Sequence, residues 1–502
     1  MSDNLTSKTF NGFKWSYLST GINAVLQIGF TAVMARLLEP AVFGLFAMAG
    51  LVLRFGQYFS QMGIGQALIQ TIELKEEDIR AGFTLAFILG TFFTVITFFI
   101  APLGILLFNN IEVIIIIRVM GLSFLLNGLS TISLSLMKRE FKFKQIAIIE
   151  IITYVVGYGI IGLGMAYYRF GVWSLVGASL SQALIYTVIS YIVERHSISF
   201  CFNTVKLKKI MTFGGKVAFI GFWEFIGNGI DVLMIGHFLG PFTLGIYNRS
   251  CALVNLPIQY VSSTFAKVFY SAFARVQNDN SRMKTAYLSS LTVVSLIIIP
   301  VSMGIIPAAK EIITTMLGTK WLEGVVVLQV LAVSVPFNVM IILPSIVCET
   351  RNKLNYQFAI QIIFVISMAG LIGFTFKYGL TAIALSVATA NFIRFIIFQA
   401  LMVKHKIAQG KEIMKALLPG VVISFFVVSC IVILKYYAEN MNSLILLIME
   451  IVTGSVVFLF FIFIRPPFSL SITIKNILKN LFDKPASTKL TRFLFRHYGL
   501  ES

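Results

Sequence analysis

The sequence predicts an all-α, polytopic membrane protein with about fourteen transmembrane helices, arranged as two six-helix halves and a C-terminal helix pair. Three observations predict this: the composition, the length of the apolar runs, and the alternation of charge between connections. Hydrophobic residues make up 58% of the 502 residues and charged residues only 12%. Soluble domains carry about 25% charged residues, so the composition excludes a soluble enzyme, a disordered protein and a coiled coil.

The apolar runs are each long enough for a helix of about 20 residues to cross a bilayer. A helix is expected because a segment in lipid must satisfy its own backbone hydrogen bonds. Runs of this length disfavour an outer-membrane β-barrel, whose strands alternate polar and apolar residues. The runs lie near 11–36, 42–70, 81–108, 112–137, 145–168, 171–193, 210–239, 242–272, 285–307, 324–348, 356–376, 379–403, 413–437 and 442–464.

The charges in the connections predict the orientation. Connections on one side hold 27 of the 40 lysines and arginines, and those on the other side hold 6. By the positive-inside rule, both termini are predicted to be cytoplasmic. The net charge of +19 is therefore mostly a topology signal with some attraction to anionic lipid, and we expect no nucleic-acid partner.

An internal repeat relates the two halves. At an offset of 201 residues, Pro40 and Gly44 match Pro241 and Gly245, and a second stretch, at an offset of 212 residues, pairs Arg139 with Arg351. Because each half has an even number of spans, this is a parallel repeat, which is typical of transporters with a binding site between the halves. The predicted divisions are 1–195 (first lobe), 196–209 (cytoplasmic linker), 210–404 (second lobe), 405–465 (final pair) and 466–502 (basic cytoplasmic tail).

Basic residues inside the apolar runs are the first candidate site residues. A charge at the bilayer centre costs at least ~2.5–3.5 kcal/mol, so such residues usually face water or a partner. Arg54, Arg118, Lys216 and Arg249 are predicted to line a cavity that attracts anions, because arginine binds phosphate or carboxylate with a bidentate fork. Snorkelling of a long side chain to the interface is the alternative near helix ends.

Polar side chains recur on one face of the first helix of each half. The amides expected to contact substrate are Asn23, Gln27, Asn255 and Gln259, and the candidates for ion coupling are Asp231, Glu224 and Asn228. An ion pair with Lys216 or Arg249 is the structural alternative for the acids. Glu150 and Glu450 stand alone in their helices and are interpreted as packing or interfacial residues.

No catalytic or metal motif is present in the sequence, and no phosphate-cradling glycine loop. The four cysteines have no metal or disulfide spacing. We therefore expect no enzyme activity and no cofactor. Transport energy would come from coupling to Na⁺ or H⁺, or from consumption of the product outside.

Several short motifs, taken in order, resemble one family. They are ARLLEPAVFGLFAMA, MGIGQALIQ before ELKEED, MKREFKFKQIA, FGVWSLV, DVLMIGHFLGPFTLGIYNRS, FYSAFARVQND and GTKWLEGVVVLQVLA. The chain resembles the oligosaccharide flippases of the multidrug/oligosaccharidyl-lipid/polysaccharide (MOP) exporter superfamily, in the Wzx-like group that exports colanic or teichuronic acid. Asp231 matches a position that is commonly acidic in this family, whereas Gly240 replaces the Glu39 of the first half.

The resemblance implies a MATE-like fold with two pseudo-symmetric lobes around a cavity that opens alternately to each side. It implies a monomer in the cytoplasmic (inner) membrane. The implied cargo is an undecaprenyl-pyrophosphate-linked, acidic oligosaccharide repeat unit. The protein would flip it from the inner to the outer leaflet for lipopolysaccharide or exopolysaccharide synthesis, beside a polymerase and other assembly proteins.

Two other functions remain open from the sequence. A drug/cation antiporter of the same superfamily would need a net acidic cavity, whereas basic residues dominate here. A membrane polysaccharide polymerase would need a large external loop with catalytic groups, whereas the external connections are short.

Overall fold

The computed structural model describes the backbone of residues 2–61, 63–71, 73–438 and 441–463. Side chains at 2–14, 16, 17, 58, 209, 210, 213–228, 256–264, 267, 462 and 463 lie outside this description. Within the described ranges, every regular element is a helix. Thirteen helical segments there are long and apolar enough to cross a membrane, which confirms the predicted class of fold.

The first six predicted spans correspond to ten α-helices, several of which are broken pieces of one span. They are α1 (Ser2–Leu37), α2 (Pro40–Gln61), α3 (Ile64–Gln70), α4 (Glu76–Ile100), α5 (Leu103–Phe108), α6 (Glu112–Met120), α7 (Leu122–Arg139), α8 (Phe143–Tyr154), α9 (Leu163–Tyr167) and α10 (Val172–Val193). A π-helical segment, Val155–Gly162, joins α8 to α9.

The remaining spans correspond to eight α-helices. They are α11 (Thr204–Arg275), α12 (Asn280–Met316), α13 (Gly324–Met340), α14 (Ile342–Thr350), α15 (Leu354–Thr375), α16 (Leu380–Lys404), α17 (Gly410–Tyr437) and α18 (Ser443–Phe463). Helix α11 contains both the seventh and the eighth predicted span. Its backbone leaves the helical region at Gly240, where φ is 79°, a conformation open to glycine because it has no Cβ.

The chain divides into two compact units. Unit 1 comprises the chain up to Arg249 together with Met316–Trp321, and unit 2 comprises Ser250–Thr315 and the chain from Leu322 onward. This division groups residues that lie close together in space, and it does not test the predicted boundaries of the lobes. The predicted lobes, bounded by the linker at 196–209, remain a prediction.

The repeated proline and glycine residues contact each other reciprocally within unit 1. A Cβ on Gly44 would lie 1.7 Å from the carbonyl oxygen of Pro241, and a Cβ on Gly245 would lie 1.9 Å from that of Pro40. Only glycine permits this backbone approach at either position. The contact therefore relates the two repeated turns by a local two-fold symmetry, as the offset of 201 residues suggested.

The segment that follows α10 packs along α4. The ring of Phe200 lies 5.9 Å from that of Phe83, and the Cys201 N–H donates to Thr84 Oγ1 at 2.8 Å. Lys206 forms an ion pair with Glu77 at 2.9 Å, and this contact raises the pKa of Lys206. The predicted linker, which belongs to unit 1, thus packs against α4 through specific contacts.

Candidate functional site

Asp231 lies in the first arm of α11 and is held by the second arm. The Tyr247 hydroxyl donates to Asp231 Oδ2 at 2.8 Å, and the Val232 N–H donates to Oδ1 at 2.8 Å. This pairing follows from the break at Gly240, because Asp231 and Tyr247 lie 16 residues apart on opposite sides of it. The structure therefore gives this predicted ion-coupling residue a tyrosine as its hydrogen-bond donor.

Arg249 follows Tyr247 by two residues on the same arm. Its guanidinium lies 4.9 Å from the ring centroid of Phe43, and Nη2 donates to Asn248 Oδ1 at 2.8 Å. Stacking on an aromatic face stabilises a guanidinium in an apolar setting. The phenylalanine thus holds a half-buried positive charge at the start of α2.

Arg54 lies farther along α2, where its side chain is exposed at the protein surface. Its charge is within electrostatic reach of Asp231. Unit 1 therefore brings three of the predicted residues to neighbouring elements: Arg54 on α2, and Asp231 and Arg249 on the two arms of α11. Together they carry a net positive charge, which is the property that an anion site requires.

Asn23, on α1, reaches a neighbouring helix. Its side-chain amide donates to Glu150 Oε2 of α8 at 3.4 Å. Gln27, one turn later, is exposed. The two residues of the polar face predicted for α1 thus differ: Asn23 is hydrogen-bonded to α8, whereas the side chain of Gln27 is exposed.

Arg118 binds the end of α4. Its Nε donates to the Phe98 carbonyl at 3.2 Å, and the guanidinium lies 4.6 Å from the centroid of the Phe98 ring. A cation at a helix C-terminus is favoured by the helix dipole. This contact gives Arg118 a structural role, and its predicted place in the cavity stays a prediction.

The other predicted site residues fall outside unit 1 or outside the described side chains. Asn255 belongs to unit 2, where it is exposed and its amide donates to Cys251 Sγ at 3.1 Å. Lys216, Glu224, Asn228 and Gln259 lie outside the described side chains.

The structure adds residues that the sequence analysis did not count among the candidate site residues. Glu150 is the partner of Asn23 rather than a lone packing acid. Tyr158, in the π-helical segment, stacks on Tyr154 with ring centroids 4.9 Å apart. π-Helical turns are frequent at functional sites and are one of the causes of a kink in a helix. This segment is therefore a candidate for the point at which the span bends. The sequence signal here is the pair of glycines at Gly157 and Gly162, a type of spacing that is common where membrane helices pack closely.

In the described part of the chain, no three histidine, cysteine, aspartate or glutamate residues come together to hold a metal ion. The contacts described above offer electrostatic and hydrogen-bonding chemistry. They present guanidinium groups for an anion and a tyrosine-bound carboxyl for a cation or proton.

Known proteins resemble the chain in sequence. Residues 33–326 match the model of a family described as polysaccharide biosynthesis protein. The teichuronic acid biosynthesis protein TuaB of Bacillus subtilis (strain 168) is 23% identical over 66% of this chain and 68% of its own. The lipopolysaccharide biosynthesis protein WzxC of Escherichia coli (strain K12) is 22% identical over 66% and 67%. The succinoglycan biosynthesis transport protein ExoT of Rhizobium meliloti (strain 1021) is 26% identical over 64% and 65%.

Solved structures resemble the chain in fold. A lipid II flippase, MurJ, in an inward closed conformation covers 93% of this chain and 99% of its own, with 16% identity and a TM-score of 0.68. An inward-facing multidrug resistance MATE transporter of the MOP superfamily covers 76% and 94%, with 16% identity and a TM-score of 0.60. The solved structures confirm the predicted fold, and the names of the relatives, which include a transport protein, agree with the prediction of a transporter rather than an enzyme.

Proposed function

Because the chain belongs to the family of polysaccharide biosynthesis proteins, we propose that it is a flippase for a lipid-linked oligosaccharide. The cargo is a polyprenyl-pyrophosphate-linked, acidic repeat unit, with undecaprenyl as the lipid. It moves from the inner to the outer leaflet of the cytoplasmic membrane by alternating access. Both chain termini lie on the cytoplasmic side, and a polymerase consumes the product on the outer face.

The observation that carries the proposal is the placement of two arginines in membrane-spanning segments of one unit. Arg54 lies on α2, and Arg249 stacks on Phe43 at the beginning of the same helix. A pyrophosphate and several sugars cannot enter hydrocarbon unaided, because each polar group would lose its hydrogen bonds with water. Guanidinium groups replace those bonds bidentately, while the polyprenyl chain remains in lipid.

The pairing of Asp231 with Tyr247 supports a role in coupling. A carboxyl that accepts a hydrogen bond across the two arms of α11 can link proton or Na⁺ binding to their relative position. Coupling requires that the ion bind the two access states with different affinity. Glu224 and Asn228, earlier in the sequence of the same arm, stay candidates for the ion site, and their side chains lie outside the described ones.

A drug/cation antiporter is the alternative, since the MATE transporter has a similar fold. A cationic drug would need unpaired acidic groups. The described acids in this part of unit 1 have hydrogen-bond donors, Tyr247 for Asp231 and Asn23 for Glu150. The basic excess therefore favours an anionic cargo.

A vesicle assay tests the proposal. The purified protein is reconstituted with a polyprenyl-pyrophosphate oligosaccharide, and the fraction accessible to an impermeant sugar-oxidising reagent is followed over time. We expect accessibility to rise from the fraction in the outer leaflet toward completeness. Accessibility equal to that of protein-free vesicles, together with efflux of a cationic dye by the same preparation, would replace this proposal with the antiporter.

A further inference from the structure

A buried cluster of charged residues lies in unit 2, on helices that the site above does not use. Lys435, near the end of α17, donates through Nζ to Glu311 Oε2 of α12 at 2.7 Å and to the Pro307 carbonyl at 2.8 Å. Glu450 of α18 completes the cluster and is within electrostatic reach of both charges. Glu311 and Glu450 are 5% and 1% exposed.

Glu450 differs from Glu311 in its hydrogen bonding. Among the residues that the structure describes, neither carboxyl oxygen of Glu450 has a hydrogen-bond partner, although both are buried. A buried carboxylate without hydrogen bonds costs several kcal/mol. A neutral carboxyl group at the same place costs much less, so the protonated form is the stable one.

The charges of the cluster agree with protonation. Glu311 and Lys435 form an ion pair with no net charge, so an ionised Glu450 would leave one uncompensated negative charge in an apolar setting. The charged groups that face Glu450 are Glu311 from α12 and Lys435 from α17. Helix α18 itself carries no other charged residue. On the neighbouring turns, Lys310, Tyr436 and Tyr437 are exposed.

The three helices that carry this cluster also pack against one another elsewhere along their length. Helices α12, α17 and α18 pack through one core cluster, which consists of Leu296, Ile423, Val427 and Ile431 with Val457, Phe458 and Phe461 against it. In addition, α17 approaches α12 closely, since a Cβ on Gly420 would lie 2.5 Å from the Ser295 carbonyl oxygen. Glu450 therefore lies on a helix that packs against both α12 and α17.

We propose that Glu450, beside the Glu311–Lys435 ion pair, is a proton-binding site of this protein. A proton fits better than a metal cation, because it needs one oxygen atom and the adjacent Lys435 ammonium repels a second cation. Release of the proton would create a carboxylate that competes with Glu311 for Lys435. The site is distinct from the one proposed around Asp231, and it does not depend on the identity of the cargo.

Infrared difference spectroscopy of the full chain in lipid nanodiscs tests the proposal. At neutral pH the wild type should show a carbonyl-stretch band of a buried protonated carboxyl group, which shifts in D₂O. Glu450→Gln should remove this band, while Glu323→Gln, which changes an exposed acid of the same unit, should leave it intact. A band of unchanged intensity in Glu450→Gln would overturn the proposal.

A second variant tests the competition for Lys435 and serves if Glu450→Gln does not fold. Glu311→Gln removes the negative partner of Lys435, so Glu450 should ionise and pair with the ammonium. The protonated band should then be lost at neutral pH and return only on acidification. Persistence of the full band in Glu311→Gln at neutral and alkaline pH would contradict the assignment. Neither readout requires flippase activity, so the two proposals can fail separately.

Discussion

The backbone of Gly44 touches the backbone of Pro241: a Cβ at position 44 would lie 1.7 Å from the Pro241 carbonyl oxygen. The same relation holds between Gly245 and Pro40 at 1.9 Å. Each pair joins the first turn of α2 to the turn at Gly240, where α11 is broken. These positions are the ones that the repeat places in register.

Gly44→Ala should therefore destabilise the protein. The atoms in the way are backbone atoms that cannot rotate aside, so overpacking should lower the free energy of unfolding by about 3 kcal/mol or more. Gly50→Ala, on the same helix with nothing within 4 Å of its Cβ, is the matched control and should cost nothing. Thermal unfolding in detergent measures both, and equal midpoints for the two variants would refute the close contact.

Asp231→Asn should abolish the ion dependence of transport. The amide can still accept a hydrogen bond from Tyr247 but can neither bind a proton nor carry charge. The measurement is the rate of oligosaccharide translocation in vesicles at varied Na⁺ concentration and varied pH.

Tyr247→Phe is the control for Asp231→Asn. It keeps the carboxyl group, which can still bind an ion, but removes its donor, so it should lower stability by about 1–3 kcal/mol and weaken the ion dependence without abolishing it. An Asp231→Asn protein with the Na⁺ and pH dependence of the wild type would remove Asp231 from the coupling site.

His405 should make part of the stability of unit 2 dependent on pH. Burial, and then the neighbouring Lys353, lower the pKa of His405, and the Lys353 ammonium lies 2.8 Å from Nδ1. Because the folded-state pKa lies below the usual value of about 6.5, this contribution is fully present above the usual value. It is lost as the pH falls through the folded-state pKa.

His405→Gln should accordingly flatten the acid limb of a plot of unfolding midpoint against pH. Lys353→Met should make that limb shallower, because it removes one of the charges that oppose protonation. Identical acid limbs in the wild type and both variants would show that the Lys353–His405 contact does not affect stability.

The sequence predicts the spans because an apolar run in lipid must be a helix. It also reveals the repeat, because Pro40 and Gly44 recur at a fixed offset. The sequence does not tell which side chains on neighbouring helices form hydrogen bonds or ion pairs with each other. The periodicity of α1 places Asn23 on a face but does not say that Glu150 is the residue opposite. In the same way, Glu450 looked like an isolated acid because Lys435 and Glu311 come from other helices. Arg118 was predicted from its charge alone, and its contact with Phe98 depends on where α4 ends.

Arg54 and Arg249 are proposed to bind the anionic part of the cargo, and neutral replacements in the vesicle flipping assay test this role most directly. Because hydrogen bonds to charged groups contribute about 1.5–3 kcal/mol, Arg54→Gln or Arg249→Gln should slow translocation about tenfold or more, and the double variant further. Lys377→Gln, at an exposed lysine, should be unaffected. A folded, reconstituted double variant that translocates the cargo at the wild-type rate would show that neither arginine binds its anionic part.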